Sequence, residues 1–245
     1  MAETKYRTGD KIAITGSYQH RALHEGNTVQ RWWHRLKLQT AADMAALSTG
    51  SRVLDIGCGS GIITEFLPQA IAYTGVDSNP DALSFARAQY PQPHLQFLYW
   101  QIDDIHQMNA DAYAAIFFLE TIEHIHPEQA KKTMMAIKEL LAKNGCCIIT
   151  TPNRKSAWPL IEKLMDFFRL APKLGGEQHE HLFTKKELVA MANVCGLQVS
   201  SVKTFNGIAP WLSWLGAGIT LKIHKWELRN NWFPGSLIAM RLQVK

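Results

Sequence analysis

The sequence predicts a doubly wound α/β domain: a mostly parallel seven-stranded sheet with helices on both faces and an antiparallel last strand. Three observations carry that expectation. From about Arg52 onward, short apolar runs alternate with stretches of helical period. The strand-like run Arg52-Val53-Leu54-Asp55-Ile56 flows into a glycine-spaced turn, Gly57-Cys58-Gly59-Ser60-Gly61, ahead of the next helical stretch. A second apolar run ends at Asp77, after which Asn79 can cap a helix and Pro80 can start it.

Taken in chain order, residues 17–47 read as helical and carry a basic, aromatic run from Arg31 to Lys37. Residues 1–48 are therefore expected as an arm or lid, and 49–245 as the domain proper. A helix is expected to open near Gly61, and residues 72–76 form the second strand. Residues 95–100 and 114–119 are apolar enough to be strands buried on both faces. A helix over 127–143 places Ala130, Met134, Ile137 and Leu141 on one stripe and is expected to stop at Asn144-Gly145. Strand five follows over 146–151, then a helix over 156–170 with Pro159 in its first turn. Thr184 and Glu187 are spaced as a capping box, Gly196 ends that helix, and 198–205 and 236–244 give the last strands. The insertion 206–234 is far longer than a turn needs. Its Trp211, Trp214, Leu215, Ile219, Ile223 and Trp226 fall at helical spacing, with Lys222, His224, Lys225 and Arg229 toward the end. That pattern suits either an element lying in a bilayer interface or a lid packed on the domain.

Composition narrows the function classes. A chain of 245 residues with 47% hydrophobic and 19% charged residues fits one globular domain with additions, not a disordered or fibrous protein. A formal charge of +5 favours anionic partners, whether nucleic acid or an acidic lipid surface. The four cysteines have neither zinc-site nor disulfide-framework spacing, which fits a reducing cytoplasm. The polar first ten residues do not resemble a secretory signal, and the greasy stretch 205–223 is too interrupted to span a bilayer.

The glycine turn is the sharpest motif. Its glycines let the backbone turn tightly and a ligand approach closely, while an acidic residue beside it repels a dinucleotide pyrophosphate and favours a cation. Asp77, at the end of the next strand, can accept from both hydroxyls of a ribose. On these residues the chain, over roughly 52–205, resembles the class I S-adenosylmethionine-dependent methyltransferases with their Rossmann-like sheet. The resemblance implies S-adenosylmethionine as cofactor and S-adenosylhomocysteine as product. It implies Asp55, Gly57, Gly59 and Gly61 around the methionine part and Asp77 at the ribose, with Cys58, Ser78 and Glu120 also among the cofactor-binding residues. At the adenine it implies Gln101 and the Ile102 N–H, with Asp103 or Asp104 as alternative matches. Ala114 departs from the family, many of whose members carry Asp there.

The fourth strand runs into Glu120-Thr121-Ile122-Glu123-His124. Two carboxylates and an imidazole at that spacing suit a divalent cation or an acid–base pair. The run resembles the metal motif of the ubiquinone-pathway O-methyltransferases and of small-RNA 2′-O-methyltransferases, which implies Mg²⁺ or a similar ion at Glu120, Glu123 and His124. Other class I relatives carry a Glu-His pair there with no metal. His124 is the first candidate base, His181 the second with His179 its alternative, and Glu123 the third catalytic candidate. Thr150-Thr151-Pro152-Asn153 also recurs in both families. In the arm, Arg35 or Lys37 is a candidate partner for the cofactor carboxylate.

The expected activity is O-methylation of a hydrophobic small molecule such as a prenylated phenol, quinol or lipid. The expected location is cytoplasmic and peripheral on the inner face of an anionic membrane. An RNA 2′-O-methyltransferase, or a catalytically silent membrane-associated binding module, are the rival readings, with nucleic acid ranked behind a small-molecule acceptor.

Overall fold

The computed structural model describes residues 15–108, 113–156, 180–230 and 234–244. Among them, β1 (Arg52–Ile56), β2 (Ala72–Asp77), β3 (Leu95–Tyr99), β4 (Tyr113–Leu119), β5 (Leu141–Pro152), β6 (Leu197–Phe205) and β7 (Leu237–Val244) form one sheet in the order β3-β2-β1-β4-β5-β7-β6. The first five strands run parallel and β7 is antiparallel to both neighbours, as the sequence predicts. The chain winds outward from β1 to β3 and then returns to β4, so strand order reverses between β1 and β4. In an open α/β sheet the crevice at such a reversal, beyond the carboxyl ends of the strands, is where ligands bind.

Burial alternates along β4 with the strand period. Ile116 and Phe118 join a core with α4 (Pro127–Leu140) and α5 (Lys185–Val194), whereas Ala115 and Phe117 join one with α2 (Thr28–Ala45) and α3 (Pro80–Gln89). The helix starts are chemically explicit. Asn79 Oδ1 accepts from the N–H of Asp81 and Ala82 at the head of α3, and the Thr184–Glu187 capping box is fully formed on α5.

The structure departs from expectation at definite places. The third strand is not buried on both faces: β3 is the sheet edge, with Leu98 and Tyr99 exposed, because only β2 pairs with it. The helix expected to 143 ends at Leu140, since Leu141 already pairs with Tyr113. Gly145 is no helix cap; a Cβ there would lie 2.6 Å from the Tyr113 carbonyl, where the β4–β5 register shifts. After β1 the chain makes a 3₁₀ stretch, Ile62–Phe66, instead of a regular helix. The arm divides into α1 (Tyr18–His24) and α2. The helix expected over 156–170 lies, beyond Ser156, outside the described residues.

The insertion also divides, at Gly216 with φ 108°, into a 3₁₀ stretch Ala209–Leu215 and α6 (Ala217–Arg229). It is anchored from within. Buried Glu227 accepts from the backbone N–H of Asn206, Ile208 and Ala209, and Thr40 of α2 bonds His224 at 3.0 Å. Trp33 of α2 meets Trp211 edge-on. Other apolar side chains of the insertion are exposed, with Trp214 72% exposed and Leu215, Ile219, Leu221 and Trp226 also exposed. No helix among the described residues is long and apolar enough to cross a membrane.

Candidate active site

A cavity of about 170 Å³ opens at the β1/β4 reversal. Its floor is the glycine turn. The N–H groups of Gly57 and Cys58 both donate to the Val76 carbonyl, at 2.8 and 3.1 Å, which ties the turn to β2. Gly57 has φ 74°, and a Cβ there would come within 2.4 Å of Thr121 Oγ1, so this position excludes any side chain on two counts.

Asp77 closes the β2 side. One carboxylate oxygen accepts from the Gly59 N–H and the other from the Asn79 N–H, each at 2.8 Å. An ionised carboxylate has about four acceptor positions, so acceptor capacity remains beyond these backbone bonds for the hydroxyls of a ribose. Burial pushes the Asp77 carboxyl up, and the Asn79, Gly59 and Ser78 backbone bonds oppose that rise. Ser78, Gln101 and Ile102 line the cavity beside it, as does Gly59.

Several polar atoms of the wall are buried without a protein partner: Ser60 Oγ, Trp100 Nε1 and Glu120 Oε1. A buried polar atom left unpaired costs roughly 1–3 kcal/mol, so these groups call for a polar ligand. Together with the glycine cradle and the half-used Asp77 carboxylate, they fit S-adenosylmethionine.

Asp55 is not at the cavity mouth. It sits 3% exposed behind the turn, where the Tyr73 hydroxyl donates to it at 2.7 Å, and it faces a small separate pocket with Cys58 and Lys37. Burial raises its carboxyl to about 7, against the lowering effect of the Tyr73 bond. Cys58 shares that rear position. Gly61 instead makes room for Phe97, whose ring a Cβ would approach at 2.5 Å. Of the two arm cations, Arg35 is exposed, whereas buried Lys37 places Nζ 3.9 Å from Glu120 Oε2.

The candidate residues after β4 are split in the same way. Glu120, in the left-handed region at φ 51°, lines the cavity with Thr121 and His124. Glu123 does not. Its carboxyl is 1% exposed and accepts from Thr151 Oγ1 at 3.0 Å, and burial, reinforced by the Glu120 charge, pushes it well above the usual carboxylate range. Its carbonyl accepts from the N–H of Glu180 and His181, so His181 is fastened beside it while its ring packs edge-on to Phe183, off the cavity wall. Among the described residues, Glu120, Glu123 and His124 do not bring their ligand atoms together. With Glu123 turned inward to Thr151 and off the cavity wall that Glu120 and His124 line, the donor set does not fit Mg²⁺ and no step is derived through one. His179 lies outside the described residues.

Sequence reasoning missed one wall. Tyr18 and Gln19 of α1 and the preceding Gly16 face the cavity, and Gly16 is pressed so close to α3 that a Cβ would lie 2.4 Å from the Ala82 nitrogen. Trp100, one residue before the adenine candidate Gln101, and Ser60, inside the glycine motif, are missed wall residues that did carry a sequence signal.

Comparison with known proteins agrees with this geometry. Residues 26–202 match a family model described as a methyltransferase domain. A ubiquinone biosynthesis O-methyltransferase of Aeromonas salmonicida (strain A449) is 29% identical over 186 residues, 74% of each chain. The protein of the same name from Xylella fastidiosa (strain 9a5c) is 30% identical over 168 residues, 66% of this chain and 67% of its own. Among solved structures, magnesium protoporphyrin IX methyltransferase from Synechocystis PCC 6803, with bound SAH, superposes at TM-score 0.63 and 15% identity, covering 94% of this chain and 95% of that one. A SAM-dependent methyltransferase from Archaeoglobus fulgidus gives 0.60 at 18% identity, with 92% and 98% covered.

Proposed function

Since the chain belongs to the methyltransferase-domain family and is an S-adenosylmethionine-dependent enzyme, we propose that it methylates an oxygen of a hydrophobic small molecule, such as a prenylated phenol or quinol. The observation that carries this reading is that His124 and Asp77 stand on the walls of one cavity, a base within the space where a donor would be held. The curated relatives named for ubiquinone biosynthesis O-methylation supply the acceptor class.

Bound S-adenosylmethionine supplies an electrophilic methyl group on a sulfonium. The chain contributes binding and proton handling. Asp77 fixes the sugar through the acceptor capacity its carboxylate retains, and the glycine turn admits the ligand against backbone. Glu120 and the ionised form of Asp55 favour positive charge nearby, while Lys37 offers a cation for a carboxylate. His124 would take the proton of the acceptor hydroxyl on its imidazole, leaving that oxygen ready for the methyl group the bound sulfonium would supply. Holding donor and acceptor in line supplies the larger share of the rate.

The exposed Trp214, Leu215, Ile219, Leu221 and Trp226 of the insertion support a peripheral stance on an anionic membrane where such an acceptor would be dissolved. The test is release of S-adenosylhomocysteine with a panel of prenylated phenols, quinols and hydroxylated lipids, with RNA as a separate arm. Turnover with the apolar phenols and none with RNA is expected; the reverse pattern, or no turnover with any acceptor, rejects the proposal. Co-sedimentation with anionic but not neutral vesicles is expected, and Trp214→Ala with Trp226→Ala should weaken it.

A further inference from the structure

Away from the cavity floor, two histidines of α1 meet a carboxylate from the 3₁₀ stretch after the glycine turn. His20 and His24 are one helical turn apart and so share a face. Glu65 faces both: its oxygens lie 3.0 and 3.1 Å from His24 Nε2, and Oε1 lies 3.9 Å from His20 Nε2. The three ligand atoms are all within 4.8 Å of one another, the one such group of three among the described residues. A tetrahedral ion with bonds near 2.0–2.1 Å spaces its ligands by about 3.3 Å, so these separations bracket what a zinc-like ion requires.

The surroundings resemble those of a ligand set held in place. The Tyr90 hydroxyl donates to Glu65 Oε1 at 2.7 Å and orients the carboxylate. His20 packs edge-on to Phe85 of α3, and the two imidazoles touch at 4.5 Å between centroids, tilted by 43°, so neither ring swings freely. The partial exposure of His24 leaves room for a water as fourth ligand.

We propose that His20, His24 and Glu65 form a site for a divalent transition metal, Zn²⁺ or its like, that fastens α1 onto the sheet domain. The consequence follows from where α1 lies. Its Tyr18 and Gln19 are part of the cofactor cavity wall, whereas Glu65 comes from the element that leaves the glycine turn. An ion bridging them fixes the wall to the floor. Ordering the wall in advance removes part of the cost of binding the nucleoside, so metal and cofactor bind with positive coupling, and the coupling is reciprocal.

The test uses the full-length, untagged chain after chelation. Co²⁺ titration should produce the visible d–d bands of a four- or five-coordinate site at one equivalent, and Zn²⁺ should abolish them by displacement. Both His24→Ala and Glu65→Gln should lose the bands while keeping the wild-type circular dichroism. Calorimetry with S-adenosylhomocysteine should show binding at least about 5-fold tighter with saturating Zn²⁺ than with chelator, and His24→Ala should bind as the chelated wild type does. Bands that never appear, bands that survive His24→Ala, or an S-adenosylhomocysteine affinity indifferent to Zn²⁺ each overturn the proposal. None of these readouts depends on the methyl acceptor, so they stand or fall separately from the proposed activity.

Discussion

Asp77 and Glu120 flank β1 from the ends of β2 and β4, and they are held in opposite ways. Asp77 is fixed by backbone N–H groups on both oxygens and keeps acceptor capacity to spare. Glu120 has one oxygen without a partner and the other 3.9 Å from Lys37, on a backbone in the left-handed region. The β2 side is preorganised by local main chain for a part of the ligand that does not change. The β4 side depends on side chains drawn from the arm and from β5, and it is where the proposed proton transfer would take place.

The largest effect should come from breaking the β4 side alone. His124→Ala is expected to lower turnover about 10²- to 10⁴-fold, the range for a lost general base, while S-adenosylhomocysteine affinity measured by calorimetry stays within 3-fold, roughly 0.65 kcal/mol. A matched loss of affinity would mean that the two sides are not separate. Next comes the β2 side. Asp77→Ala should cost about 1.5–3 kcal/mol of S-adenosylhomocysteine binding, the range for hydrogen bonds to a charged group.

Asp55 gives a pH test behind the turn. Its carboxyl, raised to about 7 in the fold, binds a proton more tightly there than in the unfolded chain. Its contribution to stability is therefore complete below the unfolded value and shrinks as pH rises from about 4 toward 7. A cationic ligand favours the ionised form, so S-adenosylmethionine affinity should climb as pH rises toward 7 and level off above it. Asp55→Asn should flatten the rise in calorimetric titrations, which separates it from Asp77, whose carboxyl is also raised by burial. The smallest effect is expected at Glu123. A buried carboxyl hydrogen-bonded by Thr151, whose charged form burial disfavours, is nearly isosteric with an amide, so Glu123→Gln should shift urea unfolding by less than about 1 kcal/mol. Turnover should stay within a few-fold; a collapse would restore Glu123 as a base or ligand.

What the sequence revealed was local. The strand alternation, the Gly57–Gly59 turn, Asp77 and the Asn79 and Thr184 caps depend on neighbours a few residues away, and these are as the spacing predicts. What it concealed depends on partners far along the chain. An apolar β3 reads like a central strand because nothing in Leu95–Tyr99 tells of a missing neighbour. Gly145 looks like a helix stop but serves a close approach to Tyr113. Glu120, Glu123 and His124 share a motif, yet the tight 3₁₀ stretch Ile122–His124 sends Glu123 inward to Thr151 and leaves the other two on the wall. The arm carries no turn signal that would aim Tyr18 and Gln19 at the cavity.

The account rests on Asp77 holding a nucleoside sugar at the switch point of the sheet. A crystal structure of the chain with S-adenosylhomocysteine measures this directly. Both ribose hydroxyls are predicted within about 3.0 Å of the Asp77 carboxylate oxygens, with the adenine beside Gln101 and Ile102. A nucleoside bound elsewhere, or a phosphate occupying the glycine turn with the Asp77 carboxylate left to its backbone partners alone, would contradict it.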